Sequence, residues 1–138
     1  MTKIPKYWNK AKRHISKRDK TMSKLIKKYQ SPNETILTSR KDIFFSLCKS
    51  IIGQQISVAA ANSVFLKFKR ICNNKINAKK VSKLTFFQLK KCGLSRQKVL
   101  GIQSLAEQMI NKSFNPKLIS KMNDEEAIKY LSSLRQIG

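Results

Sequence analysis

Acidic residues are scarce in this chain: 7 Asp and Glu stand against 30 Lys and Arg in 138 residues, a formal charge of +23. An excess of that size points to a polyanionic partner, with nucleic acid the first candidate. The cations are spread along the whole chain without forming one tail, so the expectation is a generally cationic surface. Three cysteines, Cys48, Cys72 and Cys92, form no CxxC pair, and His14 is the only histidine. No metal site and no cofactor is therefore expected, and reduced thiols fit a cytoplasmic location, associated with the nucleoid in a bacterium. No window is long and apolar enough to span a membrane, and the start, MTKIPKYWNK, has no apolar h-region, so neither insertion nor export is expected. With four Gly and three Pro, a fibrous repeat is excluded. A hydrophobic share of 41% is too high for disorder. Period-two alternation and repeats of 20 to 50 residues are both missing, which leaves an all-α reading.

What is present is helical spacing, densest between Lys41 and Ile71. Phe44, Leu47, Cys48 and Ile51 fall at i, i+3, i+4 and i+7, one apolar face, with Ser39 and Asp42 as a capping box before it. Gly53 interrupts the pattern. Ser57 is a good N-cap, after which Val58, Ala61, Phe65 and Phe68 resume helical spacing and predict a second buried helix. Between the two lie Gln54 and Gln55, long amides where a purely structural turn favours Gly, Asn, Asp or Ser. From the pattern alone, these amides either cap exposed helix ends or lie in solvent, or else face a ligand.

Two amphipathic helices precede this pair. The first carries Trp8, Ala11 and Ile15; the second carries Met22, Leu25, Ile26 and Tyr29, with Asp19 in its first turn and Ser31-Pro32-Asn33 at its end. After it, Cys72 to Ser82 is weakly patterned, with Asn73-Asn74 as a loop. Thr85 and Gln88 form a capping box for a short helix with Phe86, Phe87 and Leu89, stopped by Gly93. Ser95 caps a longer helix whose Val99, Ile102, Ala106 and Met109 face inward, leaving Arg96 and Lys98 in an exposed first turn where a phosphate would make cations acceptable. Asn123 and Glu126 open a last helix through Ala127, Ile128, Leu131 and Leu134. Asp19, Asp42 and Asp124 read as helix-start residues, and His14 as a surface residue.

The run SIIGQQIS followed by an alanine-rich helix, then GLS..K...I..LA, then L..L..IG, resembles the DNA glycosylases of the helix-hairpin-helix (HhH-GPD) superfamily, most of all the 3-methyladenine DNA glycosylase II type. The resemblance covers nearly the whole chain and implies a repair enzyme that flips an alkylated purine out of duplex DNA and hydrolyses its N-glycosidic bond. It implies that Gln55 enters the duplex while Gln54 and Ser57 hold the joint, and makes Arg96 and Lys98 DNA-facing candidates. The implied partner is double-stranded DNA with alkylated bases, bound by a monomer. In such proteins the hairpin begins with a G-I-G-x-W-T-A type motif, and here Gln136 stands where its first Gly would be. The catalytic aspartate of the family lies beyond that motif. No catalytic residue is therefore named, and residues 1–138 are expected to be one helical domain, the N-terminal portion of the HhH-GPD domain. Ile51, Ile52 and Leu134 are expected to lack cover. A non-catalytic basic DNA-binding module is the alternative, and a small RNA-binding protein a lesser one.

Overall fold

A computed structural model describes residues 4–30 and 41–138. The described residues form helices and turns with no strand, as the spacing predicts. They fall into two compact units, residues 1–41 and 42–138.

In the first unit, α1 (Trp8–Arg18) packs on α2 (Lys20–Tyr29). Asp19 separates them as the N-cap of α2, its carboxylate accepting from Met22 N–H at 2.9 Å; it lies just before the first turn and not within it. The two stripes bury less than their spacing suggests. No residue of either helix is fully buried, and Ile15, Met22, Leu25 and Tyr29 are exposed: spacing marks the face that two paired helices share, not how deeply it is covered. Ser31-Pro32-Asn33 lies outside the described residues.

The second unit holds α3 (Ile43–Gly53), α4 (Val58–Ile71), α5 (Ala78–Val81), α6 (Phe86–Lys90), α7 (Arg96–Ile110), a 3-10 turn (Pro116–Lys121) and α8 (Asp124–Ser132). Helix α7 is central, packing on α3, α5 and α6, and α3 also packs on α4. Its Val99, Ile102, Leu105 and Ala106 are buried as the spacing requires, facing Phe44, Cys48, Ile51 and Ile52 of α3 in one core with Phe68 of α4. A ring pair adds an edge-on contact between α3 and α4, Phe45 against Phe65 at 5.3 Å.

Several expectations need correction. Ile51, Ile52 and Leu134 are covered, at 0%, 1% and 4% exposure, because α7 and the segment after α8 close over them. Val58 is 78% exposed, since it opens α4 at the edge of the joint, where residues 55–60 all face outward. Phe87 and Ile128 are exposed as well; α6 is too short to bury more than Leu89 fully, and α8 contributes Tyr130 and Leu131 to the core edge instead. Asp42, and not a residue before it, is the N-cap of α3, accepting from Phe45 N–H at 2.9 Å; Ser39 lies outside the described residues. The weakly patterned stretch after Cys72 contains the short helix α5, capped by Asn77, which anchors itself through buried Ile76 and Val81. Asn73 and Asn74 do form the turn, both with positive φ, which Asn tolerates better than most residues. The capping boxes Thr85–Gln88 and Asn123–Glu126 form as read.

Candidate nucleic-acid interface

Helix α3 stops at Gly53, and Gln54 follows as its extended C-cap. Gln55 then turns the chain with φ 54°, a left-handed conformation that costs a side-chain-bearing residue about 1 kcal/mol. Two residues on, Ser57 N-caps α4, its hydroxyl accepting from Ala60 N–H at 3.2 Å. The joint is thus a four-residue connection with Gln55 at its bend and exposed.

The two amides differ. Gln54 is half-buried, and its Nε2 donates to the Gln136 carbonyl at 2.6 Å. Gln55 is exposed and hydrogen-bonds to none of the described residues through its side chain. The two amides thus part company: Gln54 is a structural tie within the fold, and Gln55 is exposed at the bend.

Lys98 comes to the joint from the first turn of α7. It is half-buried and not freely exposed as its position suggested: its Nζ donates to Ile52 O at 2.9 Å and to Gln54 O at 2.8 Å. Ser95 caps this helix, its hydroxyl accepting from Lys98 N–H at 3.3 Å. Arg96, beside it, stays exposed. An open cavity of about 600 Å³ is lined by Gln54, Gln55, Ser95, Gln97, Lys98 and residues 136–138. Of the residues singled out from the sequence, the structure brings Gln54, Gln55 and Lys98 together here; Ser57 and Arg96 are not part of this lining.

Gln97 and Gln136 were not legible as members of the site. Gln97 accepts from Arg135 Nη2 at 3.0 Å. Gln136 has φ 67°, a Gly-like conformation at a position where the family motif has Gly. Its approach depends on Gly101, which is buried in α7. A Cβ on Gly101 would lie 2.8 Å from Gln136 Cγ and 3.1 Å from its Cβ. A glycine inside an otherwise good helix was the available signal for such close passage.

The lining is amide, hydroxyl, ammonium and backbone, with no carboxylate, thiol or imidazole. Such a set can hydrogen-bond bases or phosphates, and it offers no acidic side chain. Asp19 and Asp42 serve as N-caps and Asp124 lies in the first turn of α8, as read from the sequence. All three cysteines are buried and unpaired. Burial pushes the Cys72 thiol up to about 11, helped by the neighbouring Cys92, and raises Cys48 and Cys92 as well. They are core groups, not nucleophiles. Among the described residues, no cluster of His, Cys, Asp or Glu is placed to hold a metal ion, and no helix is long and apolar enough to cross a membrane.

A bent, polar joint between two helices, carried on an all-helical core, defines the chain as a helical scaffold with a polar turn at its rim. Residues 48–136 match the model of the HhH-GPD superfamily base excision DNA repair proteins, and the chain belongs to that family. It is 27% identical over 132 residues to DNA-3-methyladenine glycosylase 1 of Schizosaccharomyces pombe, covering 94% of this chain and 58% of that protein. It is 28% identical over 134 residues to the alkylbase DNA glycosidase-like protein mag2 of the same organism, with 94% and 62% covered. The solved structure of the S. pombe 3-methyladenine DNA glycosylase Mag1 in complex with abasic DNA superposes with a TM-score of 0.82 at 26% identity, over 94% of this chain and 64% of that one. The chain thus spans about three fifths of the length of the curated relatives it matches.

Proposed function

We propose that the chain is the duplex-engaging part of an alkylbase DNA glycosylase, one that flips alkylated purines of the 3-methyladenine type out of double-stranded DNA and hydrolyses the N-glycosidic bond. The observation that carries this reading is Gln55: an exposed amide without a partner among the described residues, held in a left-handed bend at the rim of a polar cavity, in a chain whose relatives are named as glycosylases of alkylated bases. Extruding a nucleotide costs a few kcal/mol of stacking and pairing, and a side chain that fills the gap offsets part of that cost. A Gln amide has two donors and an acceptor, so it can fill the space and hydrogen-bond the estranged base. A cationic alkylated purine is in addition a good leaving group, which a nearby carboxylate assists by stabilising the developing sugar cation.

In this reading Gln55 enters the duplex, Gln54 and Ser57 hold the joint, and Arg96 meets a phosphate at the start of α7; Lys98 is taken up below. The protein acts as a monomer, in the cytoplasm or on the nucleoid. The carboxylate-free lining favours one second reading, a basic helical module that binds DNA without cleaving it. Base release from methylated duplex DNA separates the two. It is measured for this chain and for the product of the complete reading frame. Release by either supports the glycosylase, with a loss in Gln55→Ala; salt-sensitive binding by both without release supports the module.

A further inference from the structure

Helix α3 is weakly capped at its C-terminus. Its last turn has no basic residue, its C-cap is extended, and the Gln54 N–H reaches Ile51 O only at 3.4 Å. The carbonyls left at such an end need partners from elsewhere. Lys98 supplies them from α7, across 46 and 44 residues of sequence, at 2.9 Å to Ile52 O and 2.8 Å to Gln54 O. A cation at this place also faces the negative end of the α3 dipole. The second carbonyl is the decisive one. It belongs to the peptide that joins Gln54 to Gln55, so the bond fixes the plane from which Gln55 departs at φ 54°.

We infer that Lys98 is a positioning residue for Gln55 and not a phosphate contact. An ammonium has three donors, and two are committed inside the fold. The Gln54 side chain is itself tied down, its Nε2 donating to Gln136 O at 2.6 Å. Beside these two anchors the Gln55 side chain is exposed and bonded to none of the described residues, already turned outward before DNA arrives. Preorganisation of this kind lowers the ordering cost of binding. The inference rests on the reading of Gln55 as the residue that enters the duplex, and its test keeps the two separate.

Wild type, Lys98→Met and Lys98→Arg are compared on a duplex carrying 2-aminopurine beside an abasic site, whose fluorescence rises as the base unstacks. Lys98→Met is expected to lose about two thirds or more of the gain at saturation, while its log Kobs against log salt slope moves by less than about 0.3. Lys98→Arg restores most of the gain. A slope smaller by about 0.9 with the full gain at saturation overturns the proposal, because that is the mark of one lost phosphate contact. Without DNA, the amide order parameter of Gln55 is expected to fall in Lys98→Met from about 0.85 towards 0.6, with Phe68 unchanged; equal values overturn it too. Should wild type give no gain at all, the duplex-entry reading fails, and the order parameters still decide whether Lys98 holds the joint. Should Lys98→Met not fold, the Nζ resonance of wild-type Lys98 decides. It is expected to be slow to exchange and unmoved by duplex DNA, and a large shift on adding DNA refutes the assignment.

Discussion

Replacing Gln55 by glycine is expected to make the protein more stable and worse at engaging damaged DNA. The residue sits at φ 54° with its side chain exposed and unbonded within the fold, so native packing gives little back for the strain. A side-chain-bearing residue in the left-handed region is disfavoured by roughly 1–2 kcal/mol, which glycine avoids. Glycine gives up about 0.4–1 kcal/mol of this through the greater freedom of the unfolded chain. The net expectation is a gain of about 0.5–1 kcal/mol, or a Tm higher by about 2–5 °C for a cooperative unit of this size. Gln55→Ala keeps the strain and removes the amide, so its stability should match wild type within about 0.3 kcal/mol. On DNA the two variants should behave alike. Loss of the amide at an estranged base is worth about 1–3 kcal/mol, so the preference for a duplex with an abasic site over an intact one should fall by about 5- to 150-fold in each. Urea denaturation and competition binding measure both quantities. A destabilised Gln55→Gly shows that the side chain supports the fold; a stabilised one with undiminished preference for the abasic site removes Gln55 from the duplex.

Gly101→Ala should cost about 1–3 kcal/mol, because the added methyl would meet Gln136 at 2.8 Å in a packed interface; urea midpoints at constant m would show it. Tyr130→Phe should cost about 1–2 kcal/mol, since it leaves the Asn115 N–H without the hydroxyl that accepts from it at 2.7 Å while the stacked contact with Phe114 persists; thermal unfolding checks this. Stability should also fall as pH rises above about 9. The unfolded chain loses its thiol protons there, whereas the folded state keeps the Cys72 proton up to about 11 and the Cys48 proton beyond, so the folded state binds more protons in that window. Each such thiol contributes a slope of up to about 1.4 kcal/mol per pH unit, absent below pH 8; denaturation between pH 7 and 10.5, with a Cys48→Ala control, measures it.

How far the sequence could be read depended on the range of the forces at each position. Caps are local: Ser57, Ser95, Thr85 and Asn123 were legible because each bonds an amide two or three residues ahead. The face of α7 was legible because its spacing is strict and it meets helices over its whole length. Val58 and Ile128 misled, because periodicity marks a face but not how far the neighbours extend to cover it. Lys98 misled in the opposite sense. Its place in a first turn suggests exposure, and its two acceptors lie more than 40 residues away in sequence. The Gln136 carbonyl that holds Gln54 lies 82 residues away. No local rule reaches that far. The resemblance to a family supplied what spacing could not, namely which of two adjacent amides turns outward.

The division of labour at the joint follows from what each group can spare. A side chain that must enter a duplex cannot also be an anchor of its own loop, because withdrawing it would release the loop as it binds. Here the anchors are others: Lys98 on the peptide before Gln55, Gln54 on the backbone at Gln136, and the Ser57 cap just after. Each lies on a separate element and each is satisfied without DNA, so no hydrogen bond of the fold has to break when Gln55 moves. The left-handed bend is tolerated for the same reason, since three fixed points around one residue over-determine its conformation. It follows that the anchors should be coupled both in stability and on DNA. Lys98→Met and Gln54→Ala meet at Gln54, whose carbonyl Lys98 holds at 2.8 Å, so their stability costs should depart from additivity by more than about 0.5 kcal/mol, while either alone already frees Gln55 and the second adds little to the loss of unstacking. A double variant whose DNA defect is the full product of the single defects would show that the two residues touch DNA independently, and that the joint is not a single preorganised element.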